Sequence, residues 1–329
     1  MNLYHPVKIG EFEAAGNLFL APAAGWTDMA FRYVCAERGA SLTYTELISA
    51  EALVRGTMKH DYLLRNAGAP RFPYAIQLFG AKPETLAAAA RLLAPYKPAV
   101  LDLNAGCPVP KVTKTGAGSA LMKTPALLAG AVAALKQASC EALGDIPVTV
   151  KLRSGWDAAN INYMECALLA QEAGAALITL HPRTRAQGYG GVSDWSKIAA
   201  LKAALDVPAA GSGDLRTPED AARMMAETGC DAVMFARGAM GNPFIFRETR
   251  EFLETGSYAA ASLPEKIAAA LEQLEMAASA IGEKSACMEM RKAFCAYTKG
   301  FSCGAELRRG IIQACTIEDY RRIFAASVF

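Results

Sequence analysis

Eight short apolar runs, each followed by Ala- and Leu-rich helical sequence, recur between residues 18 and 235: Leu18–Ala21, Leu42–Thr45, Tyr74–Leu78, Ala99–Leu103, Val148–Leu152, Leu177–Leu180, Val207–Ala210 and Ala232–Phe235. Helix-forming stretches such as Pro83–Leu93, Pro125–Ala142, Asn162–Ala173, Trp195–Leu205 and Pro218–Glu227 lie between them. Strands joined by helical crossovers make a parallel sheet. Eight such units close most simply as an α/β fold of the (β/α)8 TIM-barrel type, with an open doubly wound sheet as second choice. The barrel is preferred because no G-x-G-x-x-G follows the first strand. Thr124 before Pro125 and Thr217 before Pro218 read as helix starts.

A barrel needs about 250 residues, and the chain has 329, of which 53% are apolar. Periodicity lapses at Glu254–Tyr258, and Leu263–Ile281 and Cys287–Phe329 then read as helices without strands. The expected domains are residues 1–255, a barrel, and 256–329, an all-helical unit. With 34 basic and 32 acidic residues the net charge is +2, so no overall basic field marks a nucleic-acid binder, and local patches would have to do so. No apolar run approaches the length of a membrane span and the start carries no signal-peptide pattern, which gives the expectation of a cytoplasmic protein without a membrane partner. Nine cysteines without a C-x-x-C pair argue against a disulfide framework and against a bound metal.

Polar residues at barrel strand ends face the mouth where barrel enzymes do their chemistry. Here they are Pro22, Glu46, Gln77, Asn104, Lys151 with Arg153, His181 with Arg183, Ser212 with Asp214, and Arg237. Gly211-Ser212-Gly213-Asp214 after the seventh strand and Arg237-Gly238 after the eighth sit where barrels bind phosphate through exposed amides. Lys151 and His181 suit a bound anion or an electron-rich ring. Cys107 lies in a proline-restricted loop beside Lys111 and Lys114, cations that adjust a thiol's pKa. Its roles rank as proton donor, then nucleophile, then inert thiol.

Taken together, LAPAAGWTD at 20–28, YAIQLFG at 74–80, DLNAGCPVPKVTKTGAGSALM at 102–122, VTVKLRSGW at 148–156, HPRTRAQGYGGVSDW at 181–195, GSGD at 211–214 and ARGAMGNPFIF at 236–246 resemble the tRNA-dihydrouridine synthase family, on the side of its bacterial B-type branch. The resemblance spans essentially the whole chain. It implies FMN in the barrel mouth, reduced by NADPH or NADH, hydride transfer from flavin N5 to C6 of a tRNA uracil, and protonation of C5 by Cys107. It places Pro22, Ala23, Ala24, Gln77, Lys151, His181, Ser212, Gly213, Asp214, Ala236 and Arg237 around FMN, and Asn104, Arg153 and Arg183 toward the RNA substrate. Met290-Arg291-Lys292 and Tyr297-Thr298-Lys299-Gly300 resemble the family's RNA-binding helical unit, so Arg291, Lys292 and Lys299 are expected RNA contacts. Residues 284–309 carry six basic against two acidic residues, a local excess of 6 − 2 = +4. The implied partner is tRNA, with no obligate protein partner.

The family more often has Met at 23, Asn at 212 and Gly at 182 and 236, where this chain has Ala, Ser, Pro and Ala. Ser212 keeps a hydroxyl donor and an unchanged amide for a phosphate. Two alternatives are an FMN-barrel oxidoreductase acting on a free pyrimidine-like molecule and a non-catalytic RNA-binding relative.

Overall fold

The computed structural model describes residues 3–58, 61–67, 71–299 and 304–326. An antiparallel hairpin, β1 (Val7–Ile9) and β2 (Phe12–Ala14), precedes the barrel. The barrel strands are β3 (Leu18–Leu20), β4 (Leu42–Tyr44), β6 (Tyr74–Phe79), β7 (Val100–Ala105), β8 (Val148–Gly155), β9 (Ala175–Thr184), β10 (Ala209–Ser212) and β11 (Ala232–Phe235), with a short β5 (Ile48–Ser49) added beside β6. All pair in parallel, and the β4–β6 pairing closes the ring. Among the described residues the first unit's α-helices follow in turn: α1 (Met29–Glu37), α2 (Ala50–Val54), α3 (Pro83–Arg91), α4 (Pro110–Thr113), α5 (Pro125–Ala142), α6 (Tyr163–Glu172), α7 (Ser196–Ala204), α8 (Pro218–Thr228) and α9 (Ile245–Thr255).

Side chains alternate along a strand, so each strand feeds two layers. Leu18, Leu20, Leu101, Leu103, Val148 and Val150 face outward into the core between sheet and helices. Phe19, Leu42, Ala75, Val100 and Met234 face inward, where Val7, Ile9 and Ala14 of the hairpin join them and plug the barrel. The hairpin has too few residues for a period-2 signal and went unpredicted.

The polar residues read as lying just past the fourth, fifth and sixth strands are on the strands themselves. β7 continues to Ala105, β8 to Gly155 and β9 to Thr184. Inward-facing polar residues at the mouth break the apolar run without breaking the sheet. The helix start at Pro218 has a full capping box between Thr217 and Asp220, whereas Thr124 makes no side-chain cap and Pro125 alone marks that start.

After Gly256 come α10 (Leu263–Ile281), α11 (Glu283–Tyr297), α12 (Gly304–Gln313) and α13 (Ile317–Ala326). They build a second core around Leu274, Phe294 and Tyr320, the last two rings stacked at 4.2 Å. Ala30 of α1 and Phe244 belong to that core, so the helical unit is seated on the barrel's flank. Arg38, capping the C-terminus of α1, and Glu272 of α10 form an ion pair at 2.8 Å across the seam. Gly300, Cys303 and the last three residues of the expected Cys287–Phe329 helical stretch lie outside the described residues. Among the described residues no helix is long and apolar enough to cross a membrane.

Candidate active site

The C-terminal ends of the strands surround a cavity of about 620 Å³, within the size range of small-molecule sites. Pro22, Ala23 and Ala24 line it from the loop after β3, Gln77 from β6, Asn104 and Cys107 from β7 and its loop, and Lys151 and Arg153 from β8. His181 comes from β9, Ser212, Gly213 and Asp214 from the end of β10, and Ala236 and Arg237 from the end of β11. Fourteen of the residues expected at the site therefore share one space.

Lys151 points into this space and makes no hydrogen bond or ion pair among the described residues. Burial, then the nearby Arg153, pulls its ammonium down to about 8, and Asp102 partly offsets them. Burial and the surrounding Lys151, Arg153, Arg183 and Arg237 push His181 down to about 2, so its ring is neutral near pH 7. An unpartnered cation next to a neutral imidazole is suited to a ligand carrying negative charge.

The loops after β10 and β11 are shaped by glycine. Gly213 has φ +111°, and a Cβ there would strike Ser193 Oγ and come within 2.7 Å of His181 Cδ2. A Cβ on Gly238 would strike the Leu215 carbonyl. Asp214, at φ +58°, directs its carboxylate onto Arg183, at 2.7 and 3.0 Å, and the Ser193 amide at 2.9 Å. Burial raises its carboxyl, but Arg183, Ser193 and Arg237 outweigh this and hold it below the usual carboxylate range. The Ser212 hydroxyl donates to the Met234 carbonyl at 3.0 Å, so the donor expected to meet a phosphate is already engaged.

Arg183 does not line the cavity. It is 1% exposed, and beyond Asp214 it donates to the Gly190 and Gly191 carbonyls at 3.0 and 2.6 Å. It ties the loop after β9 to the loop after β10, and the spacing of a strand-end arginine gave no sign of that burial.

Cys107 is half-buried on the rim. Asn104 Oδ1 accepts from its amide at 2.9 Å and from the Gly106 amide at 3.2 Å, and Ser119 Oγ donates to its carbonyl at 3.0 Å. Arg153, 3% exposed, donates to the Gly106 carbonyl at 2.9 Å and to the Thr184 and Gly188 carbonyls at 2.7 and 2.8 Å. Burial raises the Cys107 thiol above its ordinary value, opposed by the Val109 amide and Arg153. The cation that reaches the thiol is thus Arg153, not the sequence-adjacent lysines, and the net effect keeps the proton on sulfur.

A family model, Dihydrouridine synthase (Dus), matches residues 19–323. The chain belongs to the dihydrouridine synthase family. It is 45% identical over 326 residues to a probable tRNA-dihydrouridine synthase of Treponema pallidum, covering 98% of this chain and 96% of that protein. It is 40% identical over 250 residues to tRNA-dihydrouridine synthase B of Xanthomonas axonopodis, covering 76% of this chain and 74% of that one. Among solved structures, a 2-naphthoyl-CoA reductase superposes with TM-score 0.63 at 13% identity, covering 99% of this chain and 69% of its own, a likeness of fold.

Trp26 and Tyr189 are among the cavity residues of this family member that the strand-end reading passed over. Trp26 forms one wall. Tyr189, 64% exposed, stands at the mouth with the Arg153 and Arg237 guanidinium carbons 5.8 and 5.2 Å from its ring centre. An aromatic residue between Gly188 and Gly190 is a signal that could have marked it. Of the helical-unit cations, Lys292 faces the barrel, with Nζ 5.6 Å from the Trp26 ring centre. Arg291 donates to the Ala314 carbonyl at 3.1 Å, tying α11 to the segment before α13, and Lys299 is exposed at the end of α11.

Proposed function

We propose that Cys107 is the proton donor, and the floor of the barrel mouth the flavin site, in the reaction to which family membership commits this chain. That reaction is FMN-dependent reduction of uridine in tRNA to 5,6-dihydrouridine, with NADPH or NADH as reductant. We assign residues 1–255 to catalysis and 256–329 to holding tRNA. The free state of all eight described cysteines supports a reducing, cytoplasmic setting.

The residues fit the cofactor. The unpartnered Lys151 ammonium answers the negative charge of a reduced ring, and Gln77 offers it a buried amide. Gly213, Asp214 and Arg237 would hold the phosphate by backbone amides and one guanidinium, while Pro22, Ala23 and Ala24 flank the ring. When bound, FMN supplies the hydride for C6 of the uracil.

The rest of the chemistry falls to side chains. Asn104 and Arg153 hold the Cys107 loop from two sides, which fixes the thiol on the rim that a flipped nucleotide must pass. The S–H bond breaks as the C5–H bond forms, and the thiolate recovers a proton from water. A raised thiol pKa keeps the acid loaded at neutral pH.

The observation that carries this reading is an anchored thiol sharing one cavity with an unpartnered lysine. Cys107→Ala tests it. Flavin reduction by NADPH should stay near the wild-type rate while dihydrouridine formation falls by about 10² to 10⁴, the range for losing a general acid. Dihydrouridine formation at the wild-type rate would remove Cys107 from the reaction.

A further inference from the structure

Strand register sets Gln77, Asp102 and Thr149 side by side inside the barrel, for Gln77 pairs with Asp102 and Asp102 with Thr149. Two residues on from Asp102, Asn104 lies on the same face. Asp102 is 1% exposed and makes no ion pair among the described residues.

Each of its two oxygens accepts one side-chain hydrogen bond. Thr149 Oγ1 donates to Oδ1 at 2.5 Å and Gln77 Nε2 to Oδ2 at 2.7 Å. Gln77 Oε1 accepts from Asn104 Nδ2 at 2.8 Å, and Asn104 Oδ1 accepts from the Cys107 amide at 2.9 Å. The result is an unbroken hydrogen-bonded chain from a buried carboxylate to the backbone of Cys107.

A carboxamide has two orientations of nearly equal shape, so something must choose between them. An ionised carboxylate accepts and cannot donate. Against Asp102, Gln77 must therefore present nitrogen, which turns its oxygen to Asn104, which in turn leaves the Asn104 oxygen for the Cys107 amide. Reversing any member sets nitrogen against nitrogen or oxygen against oxygen in a buried site, where an unmet polar group is expensive.

We propose that Asp102 is a positioning residue that anchors the buried end of this chain, whose direction the Cys107 and Gly106 amides fix from the other end, and so holds the Cys107 loop in its working place. The consequence for rate rests on Cys107 as proton donor, while the chain and its direction stand without it.

Burial lifts the Asp102 carboxyl to about 7, with Thr149, Gln77 and Lys151 drawing it back. Tyr44 from β4 and Lys151 from β8 are the titratable groups that interact with it. Protonation leaves the direction intact. The carboxyl proton can go to Thr149, whose hydroxyl then turns to the Leu101 carbonyl at 3.5 Å, and the second oxygen still accepts from Gln77. Asparagine at 102 can do the same with its amide nitrogen toward Thr149.

Three variants separate direction from charge and from mere packing. The readouts are alkylation of Cys107 by iodoacetamide, mapped by peptide mass in flavin-free and flavin-loaded protein, and dihydrouridine formation, with flavin reduction by NADPH as the control. Asp102→Leu should speed Cys107 alkylation several-fold and lower dihydrouridine formation about tenfold to a hundredfold, the scale of a misplaced reacting group. Asp102→Asn should keep both near wild type.

Gln77→Glu adds a signature that packing alone does not give. With one proton shared between residues 77 and 102, the new side chain donates to Asp102 and accepts from Asn104. As pH rises and that proton leaves, the chain breaks. The ratio of variant to wild-type alkylation rates should then climb with pH.

Equal loss in Asp102→Asn and Asp102→Leu would overturn the proposal in favour of charge. A pH-independent ratio in Gln77→Glu would overturn it too, and that test holds even if Asp102→Leu fails to fold. If Cys107→Ala proves active while these alkylation patterns appear, the proton-donor reading falls and the directed chain remains.

Discussion

Lys151 carries a stability cost within one side chain. The fall of its pKa from 10.5 to about 8 corresponds to a penalty on the order of 3 kcal/mol for the charged form in the flavin-free protein. Below about 8 both folded and unfolded chains hold the proton, and the penalty is present in full. Between about 8 and 10.5 the unfolded chain binds more protons, so this group's contribution to stability rises with pH. Lys151→Met removes the buried charge and keeps the bulk. It should raise the thermal midpoint of the flavin-free protein at pH 7, with the gap to wild type narrowing above pH 8, and should weaken FMN retention on desalting. An unchanged midpoint would mean that water inside the cavity already solvates the ammonium. His181 enters differently, because a ring held near 2 stays neutral across the working range. The pH profile of dihydrouridine formation should show no rising limb near 6.5 from this residue, and a falling limb toward 8 if the Lys151 cation is required.

At the scale of elements, the seam between barrel and helical unit includes one close backbone approach. Gly241 has φ +73°, and a Cβ there would sit 2.5 Å from the Ala296 carbonyl carbon and 2.6 Å from the Tyr297 nitrogen of α11. Gly241→Ala meets both a left-handed backbone and a backbone collision that no rotamer relieves, costing about 1 to 3 kcal/mol. Loosened docking should let protease cut α10–α13 before the barrel, and coincident digestion of the two would show that the seam is tolerant. The sequence made the elements legible and the seam much less so. Apolar runs and Pro or capping signals located the eight strands and most helices, since core burial imposes them locally. The strand ends at Asn104, Arg153 and His181 were misplaced because inward polar residues at a barrel mouth look like loop. Arg183 was legible as a strand-end arginine but not as a buried tie to Asp214, and Asp102 was hidden because a lone carboxylate in an alternating strand acquires meaning only from Gln77 on the neighbouring strand. Long-range pairing decided those cases, and one sequence does not carry it.

For the whole molecule, a net charge of +2 gives no general attraction to RNA, so binding has to come from where the cations stand. Arg308 and Arg309 of α12 and Lys299 are exposed and make no ion pair among the described residues. Lys292 stands elsewhere, next to Trp26 and electrostatically coupled to Asp28 and Glu46, at the join of helical unit and cavity wall. These two groups should respond differently to charge reversal. If the α12 pair neutralises two phosphates, Arg308→Glu with Arg309→Glu reduces the dependence of log affinity on log salt by about 0.7 to 0.9 per lost contact, and leaves flavin content and NADPH-driven flavin reduction alone. Lys292→Glu adds a carboxylate to the cluster of Asp28, Glu46 and Glu289, so it should disturb the Trp26 wall and lower flavin retention as well as tRNA affinity. Titration of tRNA binding across salt concentrations, alongside the flavin absorbance of each purified variant, separates the two. An α12 double variant with an unchanged salt slope would take that helix out of the RNA interface and leave the barrel rim, with Lys111, Tyr189 and Arg237 around the cavity, to hold the nucleotide.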